Sequence, residues 1–499
     1  MQKILPSTSK LPLFTAASSR AIEARAQAGL PAHALMARAG LAVARLALAL
    51  PKGDGAIWIV CGPGNNGGDG LVAARLLQMH GQSVHVSLIE SDRRPVDAMA
   101  ASQAARQAGV AISNSLDAPP QVSLAVDALL GLGLQRPPAG AIAAAIAGLN
   151  LLAAPLLAVD LPSGLQSDSG AVFSLDGTRL AVQARHTLAL LTLKPGQFTA
   201  DGRALCGEQW FDDLGVSDSH KPDADLVGSN CLAAWRSARS HSAHKGSQGN
   251  LLVVGGASGM RGAALLAARA ALASGAGLVH CCLLESQATE LDSQRPELMF
   301  WPQDRLAHQQ DWRDMVIVCG CGGGQDIAAQ LPALLAQASR LVLDADGLNA
   351  IARDPQLRAL LSRRSANGMQ TILTPHPLEA ARLLDCDALT VQQDRLAAAG
   401  ELAARYACTI ILKGSGSVIA SADGRLSINS SGSAALATAG TGDVLAGWLG
   451  GLWTQQATAD PHELSIAACH WHGMAAQDQS AGPLRAADLV ERMQALFGA

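Results

Sequence analysis

The chain is short of aromatic residues: one tyrosine and six phenylalanines stand among 499 positions, and aromatics make up 3% of the whole. With 50 glycines and many alanines, this composition suits helices packed closely on a sheet rather than a core propped open by large rings. Charge is sparse at 16% of residues, and the net charge is −4, so no broad basic surface for nucleic acid or anionic membrane follows. The ten cysteines include no CxxC pair. Cys281-Cys282 and Cys319-x-Cys321 lack redox or zinc-ribbon spacing, so buried, reduced thiols are expected. Lys3 and Lys10 precede no sustained apolar core, which argues against a secretory signal. No short-period repeat occurs, which excludes solenoids and propellers. Pro137 to Val159 is uncharged and long enough to span a bilayer, but Gly140, Gly148, Asn150 and Pro155 interrupt it. A short helix, a turn and a buried strand are expected there, in a soluble cytoplasmic protein.

What is present is alternation. A chain of this length exceeds one ordinary core, so two domains or three are expected. Phe14–Leu50 reads as two Ala-rich helices broken at Gly29-Leu30-Pro31. Ala56–Cys61 reads as a strand, followed by a glycine-rich loop and a helix over Leu71–His80. Ser83–Ile89, Ser123–Ala128 and Leu156–Val159 read as strands, with a helix over Val96–Ala108. Between about Asp212 and Asn250 the pattern lapses into polar residues, and α/β alternation then restarts with Leu251–Val254 and the helix Ala263–Ala273. Two α/β domains with parallel sheets follow, the first Rossmann-like and three-layered, the second also three-layered.

In the first half, Gly62, Gly64 and Gly67 satisfy G-x-G-x-x-G between a strand and a helix, a pattern suited to phosphate. Asp69 would repel a pyrophosphate there, so the two Asn and one Asp of this loop suit a hard cation beside a polar ligand. Asp127 and Asp160 end two further strands, and ligands in open α/β sheets bind at such ends. Each Asp alone is more often a helix cap or turn former; three such loops together point to a site. In the second half, Ala437-Thr438-Ala439-Gly440-Thr441-Gly442-Asp443 opens a helix. Small residues at a helix start let backbone N–H groups crowd a transferring phosphoryl group, and Asp443 is placed as a base, the arrangement of ribokinase-like folds. Lys413–Ser417 follows a strand and suits nucleotide phosphates. His376 stands in Thr374–Glu379 after the strand Gln370–Leu373, and Asp344 and Asp346 end another strand as candidates for magnesium.

The runs Gly62–Leu77, Val126–Gly131 and Asp160–Gly164 resemble the NAD(P)H-hydrate epimerase family, over about residues 10–215. That resemblance implies hydrate contacts from Asn65, Asn66, Gly67, Gly68 and Asp69, from Gly131, Leu132, Gly133, Leu134, Gln135, Arg136 and Pro137, and from Asp160. It implies potassium ligands in Asn66, Asp127 and Ser163, and it departs from the family's usual acid at Gln166. Asp160 is the expected acid–base group, with Asp69 and Asp127 as alternatives or positioning groups. Residues 225–499, including His244-Lys245-Gly246, Leu252–Gly256 and Gly320–Gly324, resemble the ADP-dependent NAD(P)H-hydrate dehydratase family. The resemblance implies hydrate binding by Ala263, Gly322, His376 and Asp443. It implies ADP binding by Lys413, Gly414, Ser415, Gly416, Ser417 and Gly442, with Asp443 catalytic and Mg2+ neutralising phosphate charge. Cys321, Leu378 and Ser433-Ala434 depart from the family's usual proline, glycine and Asn-Pro. Domains at 1–215 and 225–499, joined by a linker at 216–224, and a homo-oligomer built on Ala-rich helical faces complete the expectation. A rival reading is a small-molecule or vitamin-precursor kinase of ribokinase-like fold, fused to a nucleotide-binding or scaffold module. A stable phosphorylated product would mark the kinase.

Overall fold

The computed structural model describes residues 1–496 apart from 52, 176, 237–238, 286–290, 309–311 and 478–481. The chain divides into two compact units, one comprising Met1–Leu5 and Pro12–Asp225, the other Pro6–Leu11 and Leu226–Ala499.

In the first unit the main sheet holds β1 (Gln2–Lys3), β2 (Ala56–Cys61), β3 (Val84–Leu88), β4 (Ala111–Ser113), β5 (Val122–Ala128), β6 (Leu156–Val159), β7 (His186–Leu190) and β8 (Glu208–Asp212). They lie in the order β1-β8-β7-β6-β5-β2-β3-β4. Every pairing is parallel except that of β1 with β8. Strand β2 is AIWIVC, buried at every position, as a strand covered on both faces must be. Alternation sorts its residues. Ile57, Ile59 and Cys61 join the core beneath helices α1 (Ala16–Ala28), α2 (Ala34–Ala49), α3 (Asn65–Met79) and α4 (Val96–Gln107), to which α2, α3 and α4 contribute. Trp58 and Val60 face the opposite core, with Ile146 and Leu149 of α5 (Gly140–Asn150). The result is a three-layer, Rossmann-like unit.

One expectation is corrected. Helix α3 begins at Asn65, six residues before the expected Leu71, so most of the glycine-rich loop is helical. Low helix propensity is overridden by packing: a Cβ on Gly67 would come within 2.0 Å of Gly62 O, and one on Gly70 within 2.6 Å of the Ala128 Cβ. Only glycine lets this helix start press onto the strand ends. The uncharged run after Pro137 forms α5 and β6, and among the described residues no helix is long and apolar enough to cross a membrane.

In the second unit the strands between residues 250 and 428 are β9 (Asn250–Gly255), β10 (Leu278–Leu283), β11 (Met299–Phe300), β12 (Met315–Cys319), β13 (Arg340–Leu343), β14 (Gln370–Leu373), β15 (Thr409–Leu412), β16 (Val418–Ala420) and β17 (Leu426–Ile428). Their order is β11-β10-β9-β12-β13-β14-β15-β16-β17. Pairings are parallel as far as β15 and antiparallel beyond it. Helices α6 (Arg261–Ala273), α7 (Ala345–Arg353), α8 (Pro377–Leu384), α9 (Thr441–Gln455) and α10 (Pro461–Met474) follow strand ends or close the unit, and the arrangement is α/β. Helices α6 and α9 touch backbone to backbone: a Cβ on Gly447 would lie 1.9 Å from Ala267 O. That contact sets the position of the α9 N-terminus at the sheet edge.

Candidate active sites

In the first unit the loops after β2, β5 and β6 meet. Asn66 donates from Nδ2 to Leu130 O at 2.9 Å. Asp127, wholly buried near the end of β5, accepts from Leu129 N at 3.1 Å, Ser163 N at 2.8 Å and Ser163 Oγ at 2.6 Å. Ser163 Oγ in turn accepts from Leu130 N at 2.9 Å. Burial pushes the Asp127 carboxyl up to about 6, against the lowering pull of the Ser163 and Leu129 donors. The structure thus brings Asn66, Asp127 and Ser163 together around the Leu130 peptide. Their oxygens, with the Leu130 carbonyl, form a hard donor set.

In front of this cluster lies a cavity of about 1110 Å³, lined by Asn65, Asn66, Asp69, the Leu129–Ala139 segment and Asp160, and by Arg20, Glu23 and Asp97 from the helices. Gly67 and Gly68 are buried behind it, where they admit close packing. Gly131 to Pro137 all line it. Asp160 adopts φ +66°, a left-handed conformation unfavourable for a residue with a Cβ, and its carboxylate pairs with the buried Lys194. Lys194 Nζ also donates to Leu190 O at 2.9 Å. Burial, with Asp160, Glu23 and Asp97 nearby, drives the Asp69 carboxyl well above the ordinary carboxylate range. Glu23 is raised by burial and by Asp160.

Sequence reasoning missed Arg20, Glu23, Asp97 and Lys194. Lys194 carried a signal, as the one lysine closing an otherwise apolar run before Pro195-Gly196. The other three sit on ordinary amphipathic helices and carried none.

The second unit gathers its residues at the start of α9. Gly440 caps this helix at φ +89°, and Thr441 Oγ1 donates to Leu436 O at 2.9 Å and Thr438 O at 3.0 Å. Asp443 follows in the first turn, its carboxyl pushed up to about 6 by burial and by Asp344. Lys413 Nζ donates to Asp344 Oδ1 at 2.6 Å and lies 3.9 Å from Glu379. Burial pulls the Lys413 ammonium down, but Asp344 and Glu379 outweigh it and the net shift is upward. Ligand atoms of Cys321, Asp344 and Asp443 lie within 4.8 Å of one another. Gly442 stands over Lys413, since a Cβ there would come 3.3 Å from Nζ.

Around this centre the loops interlock. Ala257 N donates to Gly322 O at 2.7 Å, and a Cβ on Gly322 would meet that of Ala263 at 2.9 Å. Asp346 accepts from Gly324 N at 2.9 Å, which ties the loop after β12 to α7. His376 caps α8, its Nδ1 accepting from Leu378 N at 3.1 Å and Glu379 N at 3.3 Å. The structure therefore uses His376 as a cap, and its ring is half exposed. After β15, Lys413 N donates to Pro375 O at 2.8 Å, and Ser417 Oγ donates to Gly414 O at 3.2 Å. Arg395, missed from the sequence, donates to Leu412 O and Lys413 O at 3.1 and 3.2 Å and so holds the start of the Lys413–Ser417 loop.

The family described as NAD(P)H-hydrate dehydratase matches residues 251–494, and that described as YjeF-related protein N-terminus matches residues 32–196. The bifunctional NAD(P)H-hydrate repair enzyme Nnr of Escherichia coli (strain K12) is 36% identical over 458 residues, covering 90% of this chain and 85% of that protein. The bifunctional NAD(P)H-hydrate repair enzyme of Leishmania braziliensis is 34% identical over 506 residues, covering 93% and 89%. Among solved structures, the ADP/ATP-dependent NAD(P)H-hydrate dehydratase from Bacillus subtilis, co-crystallised with ATP/Mg2+, is 29% identical. It covers 53% of this chain and 96% of that chain, with a TM-score of 0.45.

Proposed function

This chain belongs to the bifunctional NAD(P)H-hydrate repair family, and from that premise we propose that it restores hydrated NADH and NADPH with two sites on one polypeptide. The first unit interconverts the R and S hydrates, and the second dehydrates the S hydrate with ADP, yielding NAD(P)H, AMP and phosphate. The observation that carries the reading is the pair of sites itself. One is an acid-lined cavity at the strand ends of the first unit. The other sets Asp443 at a helix start beside Lys413 and Asp344.

In the dehydratase, Asp443 accepts the proton of the hydrate's ring hydroxyl while that oxygen attacks the terminal phosphoryl group of ADP. The N–H groups of the α9 first turn face the charge that develops. Lys413 and the Gly414–Ser417 backbone hold the nucleotide phosphates, and Ala263, Gly322 and His376 shape the hydrate pocket. The phosphorylated carbon then releases phosphate, a better leaving group than hydroxide, and loss of the neighbouring ring proton restores the dihydropyridine. Asp344 would hold Mg2+, which would supply neutralising charge on the phosphates. In the epimerase, Asn65, Asn66, Asp69, Gly131 to Pro137 and Asp160 hold the hydrate, while Gly67 and Gly68 seat the helix start behind it. Asn66, Asp127 and Ser163 would hold K+, which would supply positive charge at the loop junction.

The reading carries with it a cytoplasmic homo-oligomer without nucleic-acid or membrane partners; light scattering and cell fractionation check both points. The main test is absorbance recovery from a mixed R/S hydrate. Complete, ADP-dependent recovery above the spontaneous rate is expected, with AMP and phosphate formed. Asp443→Ala should abolish recovery yet leave epimerisation intact. Full recovery in that variant would sink the assignment.

A further inference from the structure

Four acids line the first cavity, and the structure treats them unequally. Asp160 is paired with Lys194, a lysine only 1% exposed, and its Oδ1 also accepts from Leu190 N at 3.2 Å. Asp97 pairs with His33 at 2.7 Å, and Glu23 accepts from Gln27 at 3.3 Å. Among the described residues, the Asp69 side chain makes no hydrogen bond and no ion pair. We infer that Asp69 carries the proton in the epimerase reaction, and that Lys194 is a positioning residue which holds Asp160 as a fixed negative charge facing the ring. The inference rests on the epimerase reading above and assigns the parts within it.

The chemistry requires this division of labour. Epimerisation at the hydrated ring carbon begins when an acid protonates the hydroxyl. The C–O bond breaks, water leaves, and the ring nitrogen lone pair makes the ring cationic. Water then adds to the opposite face and gives up a proton to cavity water, from which the acid regains its own, so the cycle consumes nothing. An acid must be protonated at neutral pH, and a cation needs a carboxylate that is not. Asp160 is paired with the buried Lys194 ammonium. Asp69 has the opposite surroundings. Glu23 on α1, Asp97 on α4 and Asp160 after β6 face it, and the Cys61 thiol of β2, itself pushed up by burial, adds no positive charge. Carboxylates crowding a half-buried carboxyl keep its proton on.

The test uses the full chain, with the dehydratase half consuming S hydrate so that recovery from pure R hydrate reports epimerisation. Wild-type kcat should be greatest where Asp69 is protonated and should fall as pH rises through its elevated pKa. Asp69→Asn should lose about 100-fold in kcat with little change in KM, and that pH dependence should vanish. Lys194→Met should lower kcat about tenfold, and Lys194→Arg should recover part of the loss. The wild type should also show a protonated-carboxyl infrared band at pH 7 that Asp69→Asn removes, a readout independent of turnover. Asp69→Asn keeping the wild-type pH profile, or Asp160→Asn alone removing it, would overturn the inference while leaving the epimerase reading intact. A wild-type chain that never exceeds the spontaneous rate would overturn both.

Discussion

Asp443 and Asp127 show how burial of one group type serves two ends. Both carboxyls are raised to about 6, Asp443 by burial and Asp344, Asp127 by burial alone. Asp443 must be ionised to act as a base, so dehydratase kcat is expected to rise with pH through about 6 and then level, in a single-turnover pH series. The same shift has a stability consequence. A carboxyl whose pKa is raised on folding contributes stability below its unfolded pKa, and loses it as pH rises through the folded value. Asp443→Asn should therefore raise Tm at pH 7 and have little effect at pH 4, while removing turnover. Asp127 has a different use, since its three accepted hydrogen bonds join the loops after β5 and β6. Asp127→Ala strands those donors and should cost about 2–4 kcal/mol in chemical denaturation of the first unit.

At the scale of elements, glycine sets the distances. In an exposed helix Gly→Ala stabilises by about 1 kcal/mol. At Gly447 the sign should reverse, because the new methyl would sit 1.9 Å from Ala267 O and force α9 off α6. A loss of about 2 kcal/mol or more is expected, with a fall in dehydratase kcat as Asp443 moves with its helix. A thermal melt and a rate on the same sample check both. Helix α3 follows the same logic: its early start at Asn65 turns Asn66 and Asp69 toward the cavity side while Gly67 and Gly70 pack against the strands. Buried Arg395 is a support of the same kind, holding the backbone from which Lys413 projects.

At the scale of the molecule, the chain's first residues do not belong to one unit. Gln2 and Lys3 pair with β8 of the first unit, while Ser7 O and Thr8 O accept from Ser229 N and Asn230 N of the second at 3.0 and 2.9 Å. Expression of residues 226–499 alone removes the partners of those two groups. That fragment should keep dehydratase activity but melt below the corresponding transition of the full chain, by an amount on the order of 1–3 kcal/mol. A synthetic peptide of residues 1–12 added back should restore part of the difference.

The sequence by itself determined the α/β class, several strands of each unit, among them Ala56–Cys61 and Leu156–Val159, and the two Ala-rich leading helices, because strong periodicity and apolar runs are local signals. It also singled out Asn65–Asp69, Asp127, Asp160, Lys413 and Asp443 as candidates, whose types and spacing suit the proposed chemistry. Only the tertiary structure decided that Lys194 pairs with Asp160, that Glu23 and Asp97 crowd Asp69, and that Arg395 sits beneath Gly414. It also decided where α3 begins, against the helix propensity of Gly67, Gly68 and Gly70. The physical reason is that charge coupling and close packing act through space between residues far apart in the chain. A lone glutamate on an amphipathic helix reads as solvated until the fold removes the water around it.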